Sequence, residues 1–317
     1  MKRNILAVIA AVACGIFLAA CGGGNSANNA APANSATNSA NTTNSANKPT
    51  AATTPTIDPN TVATFPFKDF PVVETTAKTG EVVLVPSYIW LQEATVKGAD
   101  KMTMIWYSQT MGTPDKEMSE VEFMGDKHKV PNAYIVPIPA GQKAKNGDIL
   151  LTWWQSGSGM MRAIVVDDAN PAEPIVRYLD LDFDNPAKAK DGKTSIGQME
   201  EKLKPNTFVK INAPFDVGSM VAIQDGAEQK PGMVIRVAGD KVFVNGFGGR
   251  ISVVDKSRCT PFPLVSNAKT GEKVKAVWVN SLKEGTVTKI DPKIGRVFIK
   301  FDVDSKENAV SFGEVMK

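Results

Sequence analysis

Few residues in this chain are placed to do chemistry. His128 is the one histidine among 317 residues, and it is flanked by Lys127 and Lys129. A nucleophile–base pair built on it needs a serine or cysteine in a recognisable setting, and no Gly-x-Ser-x-Gly occurs. A site with several histidine ligands is impossible with one, so His128 reads as an exposed loop residue. Asp180, Asp182, Asp184 and Asp191 have the spacing of calcium-loop ligands. Asn185 stands where that loop needs glycine, and Pro186 follows. Asp302 and Asp304 match Asp180 and Asp182 in a later repeat with no such loop after them, so these acids read as solvent-facing ends of strands. Gly246-Phe247-Gly248-Gly249 is glycine-rich enough to cradle a phosphate, but that use requires a helix N-terminus next. Arg250-Ile251-Ser252-Val253-Val254 has the pattern of a strand, so the glycines read as a turn. No catalytic residue, metal or cofactor is expected, and the chain reads as a non-enzyme.

Cysteine use points to an exported chain without disulfides. Of Cys14, Cys21 and Cys259, the first falls inside an apolar leader and the second at its end, which leaves Cys259 alone and best read as a buried, inert thiol. The leader has a basic start (Lys2, Arg3) and an apolar run from Ile5 to Ala20, too short and too small-ended for a spanning helix. Net charge is +3, and about +1 once Lys2 and Arg3 are removed, which excludes the strongly basic surface of a nucleic-acid binder. Residues 80–140 carry five Lys/Arg against eight Asp/Glu, and residues 266–317 carry ten against seven, so the two ends lean in opposite directions.

Between Gly22 and about Pro59 the sequence is low in complexity, with Asn-Ser-Ala recurring at Asn25, Asn34, Asn38 and Asn44. It has almost nothing large and apolar to bury, so it cannot offset its chain entropy and reads as a disordered tether. Beyond it a repeat appears. A glycine followed three residues later by an aliphatic residue occurs at Gly80/Val83, Gly147/Leu150, Gly218/Val221 and Gly271/Val274. Each opens a run of short apolar strands separated by polar turns. The last run predicts strands over Lys273–Val279, Gly285–Ile290, Arg296–Phe301 and Ala309–Val315. The third predicts Met220–Gln224, Gly232–Val237, Lys241–Asn245 and Arg250–Val254. The second predicts Ile149–Trp154, Met161–Val166, Ile175–Asp180 and Ser195–Met199, with one helical turn at Met199–Leu203. The first and most diverged predicts Val82–Tyr88, Ala94–Val96, Met102–Tyr107 and Glu120–Met124.

Two resemblances follow from these residues. Leu18-Ala19-Ala20-Cys21 resembles the lipobox of bacterial lipoproteins, which implies cleavage before Cys21, its lipidation and a membrane anchor. Gly22 in place of the aspartate retention signal then points to an outer membrane. Val274-x-Ala276-x-Trp278, Gly285-Thr286-Val287, Ile299-Lys300-Phe301-Asp302 and Val310-x-Phe312 resemble the strand order of SH3-like, Tudor-like barrels. A sheet of this size must cover its apolar face, and curling into a small barrel does so. The expected fold is therefore all-β, about four tandem SH3-like barrels after a tether. The expected segments are a signal peptide at 1–20, the lipidated Cys and tether at 21–64, and barrels at 65–140, 141–211, 212–265 and 266–317.

Trp154 and Trp278 lie at equal distances from their glycines, and Tyr178 and Phe301 at matching places on the third strand. In Tudor-like barrels, aromatic residues near such positions line a cage for a methylated cation, so the resemblance implies Trp154 with Tyr178, and Trp278 with Phe301, as binding pairs. The alternative is that all four pack the interior. Trp90, Trp106, Tyr107 and Trp153 have the same two readings. The expected function is non-catalytic binding or scaffolding at the cell envelope. The partners are the membrane, through the N-terminal lipid, and an envelope protein or cell-wall ligand, without nucleic acid. The alternatives are a cell-wall-binding array and an envelope enzyme or enzyme subunit.

Overall fold

A computed structural model of the chain describes residues 57–58, 60–98, 102–181, 198–304 and 306–317. The repeat is real at the level of the backbone. Gly80, Gly147, Gly218 and Gly271 have φ of 86°, 86°, 86° and 88°. Each is the third residue of a turn closed by the following amide: Glu81 donates to Lys78, Asp148 to Lys145, Ser219 to Asp216 and Glu272 to Lys269. Glycine is the residue that takes this left-handed position without strain. Each glycine amide then donates to the second strand of its own sheet, at Met111, Val165, Val234 and Val287. In three of the four repeats an acid at the turn's end reaches back to its first amide: Glu81 to Lys78, Asp148 to Lys145 and Glu272 to Lys269.

Four five-stranded antiparallel sheets follow these turns. Sheet 1 holds β1 (Val82–Pro86), β2 (Trp106–Met111), β3 (Met118–Phe123), β4 (Asp126–Pro131) and β5 (Val136–Ile138), with helix α1 (Tyr88–Lys97) between β1 and β2. Sheet 2 holds β6 (Ile149–Trp153), β7 (Met160–Asp167), β8 (Ile175–Tyr178), β9 (Glu200–Lys202) and β10 (Val209–Lys210). Sheet 3 holds β11 (Met220–Asp225), β12 (Glu228–Ala238), β13 (Lys241–Gly246), β14 (Ile251–Asp255) and β15 (Cys259–Pro261). Sheet 4 holds β16 (Lys273–Trp278), β17 (Ser281–Asp291), β18 (Arg296–Phe301), β19 (Glu307–Ser311) and β20 (Val315–Met316). In every sheet the first four strands form a meander and the fifth returns beside the first. The second strands of sheets 2, 3 and 4 bulge at matching places, after Val165, Val234 and Val287.

These sheets are the blades of a four-bladed β-propeller, which corrects the expectation of tandem SH3-like, Tudor-like barrels. No ladder joins the fourth strand of a sheet to its fifth, so each sheet keeps two edges and none closes. The physical reason lies in the second face. Alternating residues of one strand go to different clusters. Leu150 and Trp154 pack within sheet 2, whereas Ile149 and Leu151 join a cluster that draws on all four sheets. Val242 and Val244 pack within sheet 3, while Phe243 enters the shared cluster. Met220 and Ala222 meet Val277 and Met316 of sheet 4. A free-standing barrel leaves that outer face to water; here neighbouring sheets cover it.

Contacts between blades run from sheet 1 to 2, where β2 meets β7, and from 2 to 4, where Ser311 Oγ donates to Leu179 O at 2.6 Å. They continue from 4 to 3, where β17 meets β12, and from 3 to 1, where Met104 N donates to Gly249 O at 2.8 Å. The glycine turn read from Gly246–Gly249 is thus used to dock one blade on another. Residues 61–77 have no strand but fasten the last junction. Phe65 lies 5.1 Å from the rings of both Tyr134 in sheet 1 and Phe243 in sheet 3.

Several local expectations need correction. The stretch predicted as strand through Tyr88 and at Ala94–Val96 is α1. Met199–Leu203 contains β9 (Glu200–Lys202) rather than a helical turn. Val315 begins a separate strand, β20. Signal peptide, Cys21, Asp182, Asp184 and Asp191 lie outside the described residues.

Candidate functional site

The aromatic pairs singled out by the repeat are interior. Tyr178 is fully buried; its hydroxyl donates to Glu201 Oε2 at 2.5 Å and accepts from Gln155 N at 3.1 Å. Burial and the Glu201 carboxylate hold its phenol well above the ordinary range. Trp154 is buried, donates Nε1 to Gln198 O at 2.7 Å, and packs so closely on Gly157 that a Cβ there would sit 2.2 Å from the indole. Both belong to the core of sheet 2. Trp278 and Phe301 do meet, with ring centroids 4.9 Å apart, but Phe301 is buried and Trp278 half-buried against the shared core.

A cavity lined by aromatic residues lies elsewhere, on sheet 1, open to solvent and with a volume of about 560 Å³. Its position follows from α1. Pro86 ends β1, and the chain turns into ten helical residues that Glu93 and Lys97 support by an i,i+4 ion pair at 3.6 Å. Leu91 and Ala94 bury the helix on the sheet, and Gln92 Nε2 ties it to Thr61 O at 2.9 Å. The helix stands off the outer hairpin β3–β4, and the gap between them is the cavity.

Register decides which side chains face it. Val121 pairs with His128, and Phe123 with Asp126. Met111 pairs with Val121, which sets Gln109 beside Phe123. Tyr107, Gln109, Phe123, Asp126 and His128 therefore share one face of the sheet with Met111 and Val121, and the first five line the cavity. From the helix come Tyr88, Ile89 and Trp90. His128 stacks on Tyr88 at 4.2 Å with the rings 11° from parallel, and Trp90 lies 5.9 Å from Tyr107. His128 is thus a half-buried strand residue rather than an exposed loop one. Gln109 is buried and donates to Val85 O at 3.2 Å.

Sequence reasoning named Trp90 and Tyr107 as contact or core residues but did not join them to Tyr88, Phe123 or His128. The signal was available: sheet 1 is the most diverged repeat, and its first loop is long enough to hold a helix. Trp106, grouped with them, instead points to the other face, fully buried, with Nε1 on Tyr134 O at 2.9 Å.

Cys259 is a free, buried thiol; burial raises it above the ordinary thiol range. Among the described residues no group of three or more His, Cys, Asp or Glu side chains is placed to hold a metal, and no helix is long and apolar enough to cross a membrane.

Fold and cavity together define an all-β repeat protein with a ligand-sized pocket added to its first blade by a helical insertion. Comparison with models of protein families finds no match, and comparison with characterised proteins finds none. The resemblances to bacterial lipoproteins and to SH3-like, Tudor-like proteins therefore gain no support from either, and the propeller replaces the latter.

Proposed function

We propose that the protein is an exported, non-catalytic binding protein whose ligand site is the cavity between α1 and sheet 1. The observation that carries this reading is the convergence of Tyr88, Trp90, Tyr107 and Phe123 on a cavity of about 560 Å³. That size lies within the range of small-molecule sites, and an apolar wall with a few fixed polar groups is their usual character. A cluster of half-exposed aromatic rings carries a cost in water that a bound apolar group offsets. Export follows from Lys2, Arg3 and the apolar run to Ala20, and it makes an envelope protein or cell-wall component the source of the ligand. The non-catalytic reading follows from a single histidine and the lack of a nucleophile motif.

The test is ligand-observed NMR of the full chain against a set of small aromatic and aliphatic compounds. Compounds that bind wild type are expected to lose binding in Trp90→Ala and to keep it in Trp278→Ala. Binding that survives Trp90→Ala, or no binding by any compound, overturns the assignment. Turnover above background in a broad hydrolase screen overturns the non-catalytic reading.

A further inference from the structure

We infer that the cavity on sheet 1 takes an organic cation with an apolar body, held by ring faces and by Asp126. This rests on the reading of the cavity as the binding site. The argument is one of charge sorting across the β3–β4 hairpin. Its register sets Glu120 opposite Lys129 and Glu122 opposite Lys127, and successive side chains alternate between faces. Those four charges fall on the face turned away from the cavity, where Lys127 pairs with Glu120 at 3.0 Å. The cavity face keeps Asp126, and among the described residues the lining contains no lysine or arginine.

A lone carboxylate beside an apolar, aromatic wall favours one class of ligand. An anion would meet the carboxylate's repulsion with no lysine or arginine among the described lining residues to offset it. A neutral apolar ligand gains from burial alone. A cation gains from burial, from the negative faces of Tyr88, Trp90, Tyr107 and Phe123, and from Asp126 at the rim. Asp126 is exposed, so its part is that of a partly screened counter-ion rather than a buried pair. Trp90 and Tyr107 lie 5.9 Å apart, tilted to each other by 53°, and both line the cavity, so a ligand seated there meets two rings at once. The tetrahedral shell of methyl or methylene groups on such an ammonium is weakly hydrated and loses little on entering an apolar cavity, unlike a primary amine.

The experiment uses the full chain and three probes of matched shape: benzyltrimethylammonium, its neutral tert-butyl analogue and benzenesulfonate. Dissociation constants are read by NMR titration. The cation is expected to bind about ten-fold more tightly than the neutral probe, with the sulfonate weakest. Asp126→Asn is expected to cut the preference for the cation by about three-fold, and added salt to act in the same direction. Thermal unfolding of the variant, in an exposed hairpin position, confirms that it folds. Equal or tighter binding of the neutral probe overturns the inference while leaving the site in place. A preference indifferent to Asp126→Asn removes the counter-ion role assigned here. Failure of all three probes to bind overturns the reading of the cavity itself.

Discussion

Arg162 on β7 donates through Nη1 to the carbonyl oxygen of Phe312 at 3.0 Å, across 150 residues of chain. The same buried guanidinium donates Nε to Asp180 Oδ1 at 2.9 Å and Nη2 to Glu314 Oε1 at 3.2 Å. Sheets 2 and 4 are thus joined by one cation and three acceptors.

Arg162→Ala removes the cation from Asp180, Glu314 and the Phe312 carbonyl, leaving the two carboxylates with backbone amides as donors. The expected loss is about 3–5 kcal/mol by urea denaturation, typical of breaking a buried pair from one side. Burial raises the Glu314 carboxyl above its ordinary value of 4.5, with Arg162 opposing the shift. A raised carboxyl keeps its proton in the folded chain at pH values where the unfolded chain has released it, so the stability tied to it falls as pH rises from that value. Without Arg162 the opposition is gone. The loss in Arg162→Ala should therefore be largest at neutral pH and shrink under acid. A loss independent of pH would show that Glu314 is not held by Arg162.

Two of the repeat glycines separate strain from crowding. At Gly271 a Cβ meets nothing within 4 Å, so Gly271→Ala should cost only the left-handed strain, about 1–2 kcal/mol. At Gly218 a Cβ sits 2.9 Å from Ile211 Cδ1 and Leu151 Cδ1. Gly218→Ala should cost about 1–3 kcal/mol more, through overpacking. Denaturation midpoints compare them directly, and equal losses would contradict the packing described at Gly218.

That glycine turn is the part of the fold most legible in sequence. Only one residue type takes φ near 86° freely, so a recurring backbone geometry leaves a recurring letter. The strands of sheets 3 and 4 were legible for a similar reason: Val297, Ile299 and Phe301 are buried on one face while Lys300 is exposed. Closure was not legible. Phe243 and Val244 are both apolar, and nothing in their types says that Val244 packs within its own sheet while Phe243 joins the core shared between blades. Helix α1 was missed because Ile89 and Val96 are exposed, which blurs its apolar stripe, and because the β-branched residues in it favour strands locally. The candidate site was half legible. Trp90 and Tyr107 stood out as residue types, but only the helix and the hairpin register bring Tyr88, Phe123, Asp126 and His128 to them.

Tyr134 and Tyr178 give an alkaline signature. Burial lifts both phenols well above their ordinary value of 10. From about that pH upward the unfolded chain releases protons that the folded chain retains, so stability falls as pH rises. Tyrosinate absorbance from these two residues should appear together with loss of the fold. Tyr134→Phe should remove absorbance from that unfolding step alone; absorbance lost from an earlier step would place Tyr134 in solvent.

Cys259 should be silent in the folded protein. Its Sγ lies 3.6 Å from Asp255 O, and burial keeps the thiol protonated. In a chain carrying Cys14→Ser and Cys21→Ser, a thiol reagent should label Cys259 at the rate of unfolding. Rapid labelling without denaturant would contradict its burial.

The link between Arg162 and the final residues also bears on how the chain reaches its native state. Blade 2 precedes blade 4 in the chain, yet the guanidinium on its central strand finds Phe312 and Glu314 only once those residues near the end of the sequence are present. Until then its partner is Asp180 of the same repeat. The charge network that joins the second blade to the fourth is therefore complete only when nearly the whole polypeptide is present.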